Sequence, residues 1–233
     1  GSDLTLNGAA AAIVHGLISG DSAGNGILNF AGTGLKTISD AVGTTGLASI
    51  TSAASSNGAI TGATRATNVA ISGNLSFEDI LIGNDGSAAA VTAMTGTAST
   101  LNLNAITAKI ITSSVTAATV GGDGNIVVQD KSGGAVPGES VIVGLVGTDA
   151  NRIGSLKVGD GAHPGMLELD GASFFNSVSI SSFISLSIFF FSTFTESTAF
   201  TESTAFTEST TFTESTFTES TAFTESTAFT EST

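Results

Sequence analysis

The sequence predicts an all-β fold, a parallel β-solenoid, for residues 1–171. Short apolar-x-apolar runs recur along this segment, Gly, Asn, Asp, Ser and Thr separate them, and large aromatic side chains are almost missing. Alternation of an apolar with another residue is typical of a half-buried strand. Strands this short gain stability when they stack about 4.8 Å apart in successive coils, because each then pairs on both sides.

The best-defined repeat unit ends at Gly171. Leu156-Lys-Val158 is closed by Gly159-Asp-Gly161, and Leu167-Glu-Leu169 is closed by Asp170-Gly171. Gly and Asp are favoured at sharp corners, where positive φ angles are needed. We therefore interpret each apolar run as a strand and each Asp-Gly pair as a turn.

Looser versions of this unit precede it, mostly at spacings of about 24 to 30 residues, which is a period typical of solenoids. We expect two or three strands per coil and about 23 residues per coil. The predicted strands are Leu4-Thr-Leu6, Leu28-Asn-Phe30, a copy near Leu47–Ile50, Val69-Ala-Ile71, Leu75-Ser-Phe77, Ile80-Leu-Ile82, Leu101-Asn-Leu103, Ile126-Val-Val128 and Val141-Ile-Val143.

A β-sandwich is the alternative fold, since it too has many short strands with turn signals between them. The shortage of Trp, Tyr and Phe in residues 1–171 makes its thicker core harder to fill. Ala9–Leu17 and Ala88–Ala93 could instead form short helices, although the surrounding Gly and Thr lower helix propensity.

Composition changes abruptly after Gly171. All 29 Gly and all six Lys and Arg lie at or before this residue, whereas 13 of the 15 Phe follow it. We therefore predict three segments: a solenoid in 1–171, an apolar Ser- and Phe-rich strand or linker in 172–193, and a repeat tail in 194–233.

The apolar stretch 172–191 is long enough to suggest a membrane span. Ser fills a third of it, and no Lys or Arg flanks it to orient a span. Val178, Ile180 and Ile184 share one parity, which favours a strand that packs on the solenoid end; membrane contact and lack of structure are the alternatives. Phe-Thr-Glu-Ser-Thr occurs seven times in 194–233, and such low-complexity tracts are usually disordered.

The net charge of −14 argues against nucleic-acid partners, because phosphate binding needs clustered Lys and Arg. It argues equally against docking on anionic lipid. The absence of Cys excludes disulfides and thiolate metal sites.

No motif predicts a catalytic, cofactor-binding or metal-binding residue. Gly121–Val128 partly matches the calcium-binding nonapeptide, but Ile126 occupies a ligand position, so we interpret it, like Gly83–Gly86 and Gly159–Gly161, as a turn. The remaining polar candidates are best explained as structural, solvated or solubilising side chains, or as a chance sequon: His15, His163, the acid pairs Glu78-Asp79 and Glu168/Asp170, and the sequon Asn74-Leu-Ser76.

Leu156–Gly161 followed by Gly165–Gly171 resembles the strand repeats of bacterial autotransporter passenger domains. The Gly-, Ala-, Thr- and Asn-rich stretch Leu4–Gly34 is similar to the rickettsial surface-antigen branch. The resemblance covers residues 1–171 and implies a right-handed β-helix on the bacterial cell surface. The family's C-terminal translocator does not follow and the tail is foreign to the family, so we expect a passenger fragment or a truncated gene product.

These observations predict a non-enzymatic cell-surface adhesin or antigen segment that binds a protein or glycan on another cell through a solenoid flank. The alternative is a self-assembling subunit of a surface layer or filament, because solenoid ends and the 172–191 strand offer open edges. A carbohydrate-active enzyme is a third interpretation, but acid pairs this close in sequence are better explained as solubilising.

Overall fold

The fold is seen in a computed structural model of the chain. It describes residues 2–79, 81–82, 90–104, 109–111, 113–118, 123–129, 139–160, 163–180, 183–188 and 200–202. Within these ranges the regular structure consists of β-strands, without a helix. The strands are β1 (Asp3–Leu6), β2 (Ala12–Val14), β3 (Ile27–Phe30), β4 (Lys36–Ile38), β5 (Val42–Ser52), β6 (Asn57–Ile60), β7 (Thr64–Ile71), β8 (Asn74–Phe77), β9 (Leu81–Ile82), β10 (Ala90–Met94), β11 (Thr100–Leu103), β12 (Lys109–Ile111), β13 (Ser113–Ala117), β14 (Asp123–Val128), β15 (Ser140–Ile142), β16 (Ile153–Val158), β17 (Gly165–Leu169), β18 (Phe175–Ile180), β19 (Phe183–Ile188) and β20 (Phe200–Glu202).

The strands form two sheets whose described pairings are all parallel. Sheet A has the order β1-β3-β5-β7-β9-β12-β15-β17-β19, with β10 and β13 beside this path, and sheet B has the order β2-β4-β6-β8-β11-β14-β16-β18-β20. The chain thus passes between the sheets in turn, and each new strand pairs with one from the preceding coil. This confirms the predicted β-solenoid, since the sandwich alternative requires antiparallel sheets.

The coils vary in length more than the sequence predicts. Register partners in sheet B are 17 residues apart at Gly58 and Leu75, but 30 apart at Ile126 and Leu156. The predicted spacing of about 24 to 30 residues between apolar runs is too narrow a range, because that prediction assumes that every run occupies the same position in its coil. Leu28 lies in sheet A and Leu75 in sheet B, and the turns between the sheets differ in length.

Sheet A divides after β7. This strand pairs with β9 through Thr64 and Arg65 and with β10 through residues 68–71. The following coil accordingly has three strands, β9, β10 and β11, whereas the coil containing β3 and β4 has two. Two or three strands per coil, as expected, are confirmed.

The core is a narrow column of aliphatic side chains between the sheets. In sheet B, Leu75, Leu101, Ile126 and Leu156 are successive register partners, and none is more than 1% exposed. Aliphatic side chains stacked on register partners fill the space between the sheets at close packing without large rings. This explains how a segment with few aromatic residues builds a closed core.

One charged side chain lies on the inner side of an early coil. Lys36 is 4% exposed, and its Nζ donates to the carbonyl oxygens of Gly8 at 2.9 Å, Ala10 at 2.5 Å and Gly34 at 3.2 Å. These bonds replace the water that the ammonium group loses on burial. Lys36 therefore joins the turn after β1 to the next coil.

The stacking continues past Gly171. β18 pairs with β16, β19 pairs with β17, and β20 pairs with β18. The strand interpretation of 172–191 is confirmed over Phe175–Ile180 and Phe183–Ile188, which extend both sheets. β20 lies within the 194–233 tail. The rest of this tail, for which the sequence predicts disorder, is outside the described ranges.

The short helices considered as alternatives do not form. β2 lies within Ala9–Leu17, and β10 begins at Ala90 inside the second candidate, whose first two residues are outside the described ranges. In the described part of the chain no helix is long and apolar enough to cross a membrane.

Candidate functional site

His15 lies next to a serine and an aspartate, but in an order that does not activate the serine. Ser39 Oγ donates to Asp40 Oδ2 at 3.1 Å and lies 2.9 Å from His15 Nδ1. Ser39 Oγ also lies 3.3 Å from the Val14 carbonyl oxygen, so more than one acceptor competes for its proton. The described hydrogen bonds of Asp40 go to Ser39 and Gly16, whereas a serine nucleophile needs the carboxylate on the imidazole.

Asp40 is held in its ionised form by this cluster. The Gly16 N–H donates to Asp40 Oδ2 at 2.7 Å, and this bond, the Ser39 hydroxyl and the nearby His15 lower the pKa of Asp40 below its usual value. The arrangement fastens one coil to the next, since Gly16 and Asp40 belong to successive coils.

His163 pairs with a turn residue. Its Nδ1 is 3.1 Å from Asp160 Oδ1, and its backbone N–H donates to the same oxygen at 2.8 Å. Gly159 has a φ of 71°, which agrees with the predicted turn at Gly159–Gly161, although Gly161 is outside the described residues. His163 is therefore part of a turn.

The calcium-like stretch Gly121–Val128 is partly a strand. Residues from Asp123 onward form β14, and Asp123 is 1% exposed as the register partner of Ile153. The strand predicted at Ile126-Val-Val128 is confirmed, and the turn interpretation is wrong for Asp123–Asn125, because β14 begins at Asp123. Gly121 and Gly122 are outside the described ranges, as is all of Gly83–Gly86. Among the described residues no group of three or more acids or histidines is placed to hold a metal ion.

The acid pairs follow or occupy strands on the outer surface. Glu78 and Asp79 come directly after β8, while Glu168 lies on β17 and Asp170 follows it. Asp170 is exposed, as expected of a solubilising residue, whereas Glu78 is half-buried in a groove. Asn74 of the sequon lies in the same groove.

This groove, of about 270 Å³, lies on the outer face of sheet B, across β4, β6, β8 and β11. Side chains alternate between the two faces of a strand, so the residues between inward-pointing core positions line it. Of the lining residues that the structure describes, Leu35 and Ala59 are apolar. The others carry hydroxyl, amide or carboxylate groups: Thr37, Asn57, Asn74, Ser76, Glu78, Asn102 and Asn104.

Three asparagines form a hydrogen-bonded amide ladder, defined here as Asn57, Asn74 and Asn102. Asn102 Nδ2 donates to Asn74 Oδ1, and Asn74 Nδ2 donates to Asn57 Oδ1 at 3.2 Å. Each amide has two N–H donors and an oxygen with two lone pairs, so the ladder bonds leave capacity for further hydrogen bonds. The ladder presents donors and acceptors side by side along the groove.

Asn104 is unlike the other lining residues. Its backbone N–H donates to the Phe77 carbonyl oxygen at 3.0 Å, which fixes it beside Glu78 in the register of sheet B. The side chain is fully buried, yet neither Oδ1 nor Nδ2 has a hydrogen-bond partner. No other described residue has buried side-chain atoms left unpartnered in this way.

The charge balance of the chain disfavours anionic ligands. Among the described lining residues the charged one is Glu78, and the chain as a whole has a net charge of −14. An anionic ligand is repelled by this net charge. A neutral ligand with hydroxyl or amide groups suits the lining better.

The sequence interpretation did not identify this groove. The available signal is the middle residue of the strand runs, such as the Asn of Leu101-Asn-Leu103, which alternation identifies only as outward-facing. Asn57 and Asn104 lie outside any apolar-x-apolar run, so only the sheet register brings them together.

Comparison of the chain with protein-family models, with curated protein sequences and with solved structures finds no match. The fold and the groove therefore carry the functional argument by themselves.

Proposed function

We propose that this chain is a non-enzymatic segment of a bacterial cell-surface adhesin or antigen that binds its partner through one flank of the solenoid. The observation that carries the proposal is the polar groove on the outer face of sheet B, with its amide ladder and the unpartnered amide of Asn104. The resemblance of Leu156–Gly171 to autotransporter passenger repeats supports the surface location.

The solenoid suits this role because it holds side chains at fixed intervals. Strands in one sheet are about 4.8 Å apart, and paired strands position a binding constellation more accurately than loops do.

A matched pair of substitutions on one coil tests the proposal. Asn102 on β11 and Ala93 on β10 are both half-buried, outward-facing residues, but only Asn102 lines the groove. We expect the labelled full-length chain to bind a panel of cultured eukaryotic cells saturably, Asn102→Arg to weaken this binding at least tenfold, and Ala93→Arg to leave it unchanged. Equal effects of the two substitutions, or no saturable binding to any cell, would contradict the proposal.

A second candidate, a self-assembling structural subunit, is favoured by exposed apolar side chains on β1 and β2. Leu4 and Ile13 on these strands are 40% and 62% exposed. Exposed apolar side chains on strands can pack against another copy of the chain. Ordered polymers that grow with concentration in electron micrographs, and that Ile13→Lys abolishes, would support this function; a monomer at all concentrations would exclude it.

A further inference from the structure

We propose that the sheet B groove binds a stretch of neutral glycan, with the amide of Asn104 as its innermost recognition group. This inference rests on the proposed function, because it names the chemistry of the partner that the flank would contact. It starts from Asn104, since both polar atoms of a fully buried side chain lack partners there.

A buried amide without partners is unfavourable in the unliganded protein. Each unsatisfied polar group lowers stability, because it has lost its hydrogen bonds to water. Asn104 is among the residues that line the groove, so a ligand group that both donates and accepts would satisfy Oδ1 and Nδ2 together once the side chains that cover the amide move aside. A sugar hydroxyl does both, and neighbouring hydroxyls on one ring can serve both atoms.

The remaining lining fits the same chemistry. Asn57, Asn74 and Asn102 alternate donors and acceptors along the groove. Leu35 and Ala59 add apolar surface against which the C–H face of a sugar ring can pack. The net charge of −14 repels glycans that carry phosphate, sulfate or carboxylate groups, which favours a neutral glycan over a charged one.

The direction of the groove favours a glycan over an extended peptide. It crosses four neighbouring parallel strands, so it runs along the stacking axis for roughly 14 Å. A peptide strand is recognised by backbone pairing at a sheet edge, whereas this groove lies on a sheet face and offers side chains. Amides repeated from coil to coil match a polymer whose hydroxyls also repeat along its length.

The test is titration of the full-length chain with neutral hexasaccharides of glucose, galactose and mannose. We expect saturable binding of at least one of them, weakened at least tenfold by Asn104→Ala. The matched control is Asn29→Ala, which removes an amide from the outer face of sheet A, where Asn29 Nδ2 donates to Thr5 Oγ1 at 3.4 Å; it should leave binding unchanged.

Stability provides a second readout. If Asn104 serves a ligand, Asn104→Ala removes an unsatisfied amide, and the unliganded variant should melt at the same temperature as the parent or higher. A purely structural Asn104 would make the variant melt at a lower temperature. If the Asn104→Ala variant fails to fold, Asn102→Ala takes its place in the binding test. This substitution changes the ladder, leaves Asn104 intact and should also weaken binding.

Three results would overturn the inference: no binding of any neutral hexasaccharide, tighter binding of a uronic-acid hexasaccharide, or tighter binding of an uncharged extended peptide. Cell binding that depends on Asn102 without any saccharide binding would remove the glycan assignment and leave the proposed function standing. If the chain binds no cells but still binds a saccharide, the adhesin role is contradicted and the glycan-binding assignment of the groove stands.

Discussion

Gly58 lies opposite the ring of Phe30 inside the solenoid. A Cβ at Gly58 would come within 2.5 Å of Phe30 Cδ1, and Phe30 is only 1% exposed, so its ring has little room to move. The absence of a side chain at position 58 therefore makes space for one of the few large rings in the core.

We expect Gly58→Ala to lower the free energy of unfolding by about 1–3 kcal/mol, because overpacking forces neighbouring groups out of their preferred positions. Urea denaturation measures the change. Gly96→Ala is the control, since its Cβ would meet its nearest neighbour, the Ser72 carbonyl oxygen, at 3.4 Å. Adding Phe30→Leu to Gly58→Ala should recover part of the loss; a purely additive double variant would contradict the steric explanation.

Asp40 makes stability depend on pH. Its pKa is lowered, first by the Gly16 N–H and then by the Ser39 hydroxyl and His15, so its ionised form is favoured in the folded state. That stabilisation is complete above the unfolded-state pKa and is lost as the pH falls through the lower, folded-state pKa. Asp40→Asn removes the titration.

The melting temperature of Asp40→Asn should therefore fall below that of the parent near neutral pH, and the two should converge in strong acid. Thermal melts followed by circular dichroism across this range measure the difference. A difference that does not change with pH would show that the carboxylate charge contributes nothing.

Residue-level features were the hardest to predict from the sequence. The inward position of Lys36 and the unpartnered amide of Asn104 have no local signature, because both depend on which residues the neighbouring coils bring close. The interpretation of His15 as a structural or solvated side chain did not anticipate its bond to Ser39 for the same reason, because the two residues are 24 positions apart.

The amide ladder belongs to the scale of strands. Asn74 bonds to both Asn57 and Asn102, so it joins β6, β8 and β11 through side chains as well as backbone. Such a ladder works only where the register is kept, because a shift by one residue would turn the amides inward.

We expect Asn74→Ala to lower the free energy of unfolding by roughly 1–3 kcal/mol, as two hydrogen bonds at about 0.5–1.5 kcal/mol each are lost. Asn57→Ala breaks one bond and should cost about half as much. Urea denaturation of both variants makes the comparison. Equal losses, or a larger loss for Asn57→Ala, would show that the ladder does not stabilise the strands.

Strands were more predictable than single residues. Runs such as Leu75-Ser-Phe77 and Leu156-Lys-Val158 coincide with β8 and with the end of β16, because alternation reports directly on burial. The sheet to which each run belongs could not be predicted, since alternation says nothing about which neighbour a strand pairs with. The two-strand continuation in β18 and β19 was likewise visible only as a single apolar stretch.

At the scale of the whole molecule, one property supports both the core and the groove: parallel strands stacked in register. Stacking aligns Leu75, Leu101, Ile126 and Leu156 inside and brings the groove asparagines together outside. The solenoid was predictable because composition and period act over many coils, whereas the lengths of individual coils depend on turns that the core does not constrain.

Disulfide cross-linking tests this stacking most directly, since the chain has no Cys of its own. Asn102 and Val127 are register partners on the outer face of sheet B, and adjacent strands bring Cα atoms within the range of about 4.4–6.8 Å that a disulfide spans. Lys157 is the partner of Val127 on the following strand, and its Cα is thus about 10 Å from that of Asn102. We predict that a variant with Asn102→Cys and Val127→Cys oxidises rapidly within the monomer, while Asn102→Cys with Lys157→Cys stays reduced; failure of the first pair, or equal oxidation of both, would contradict the account.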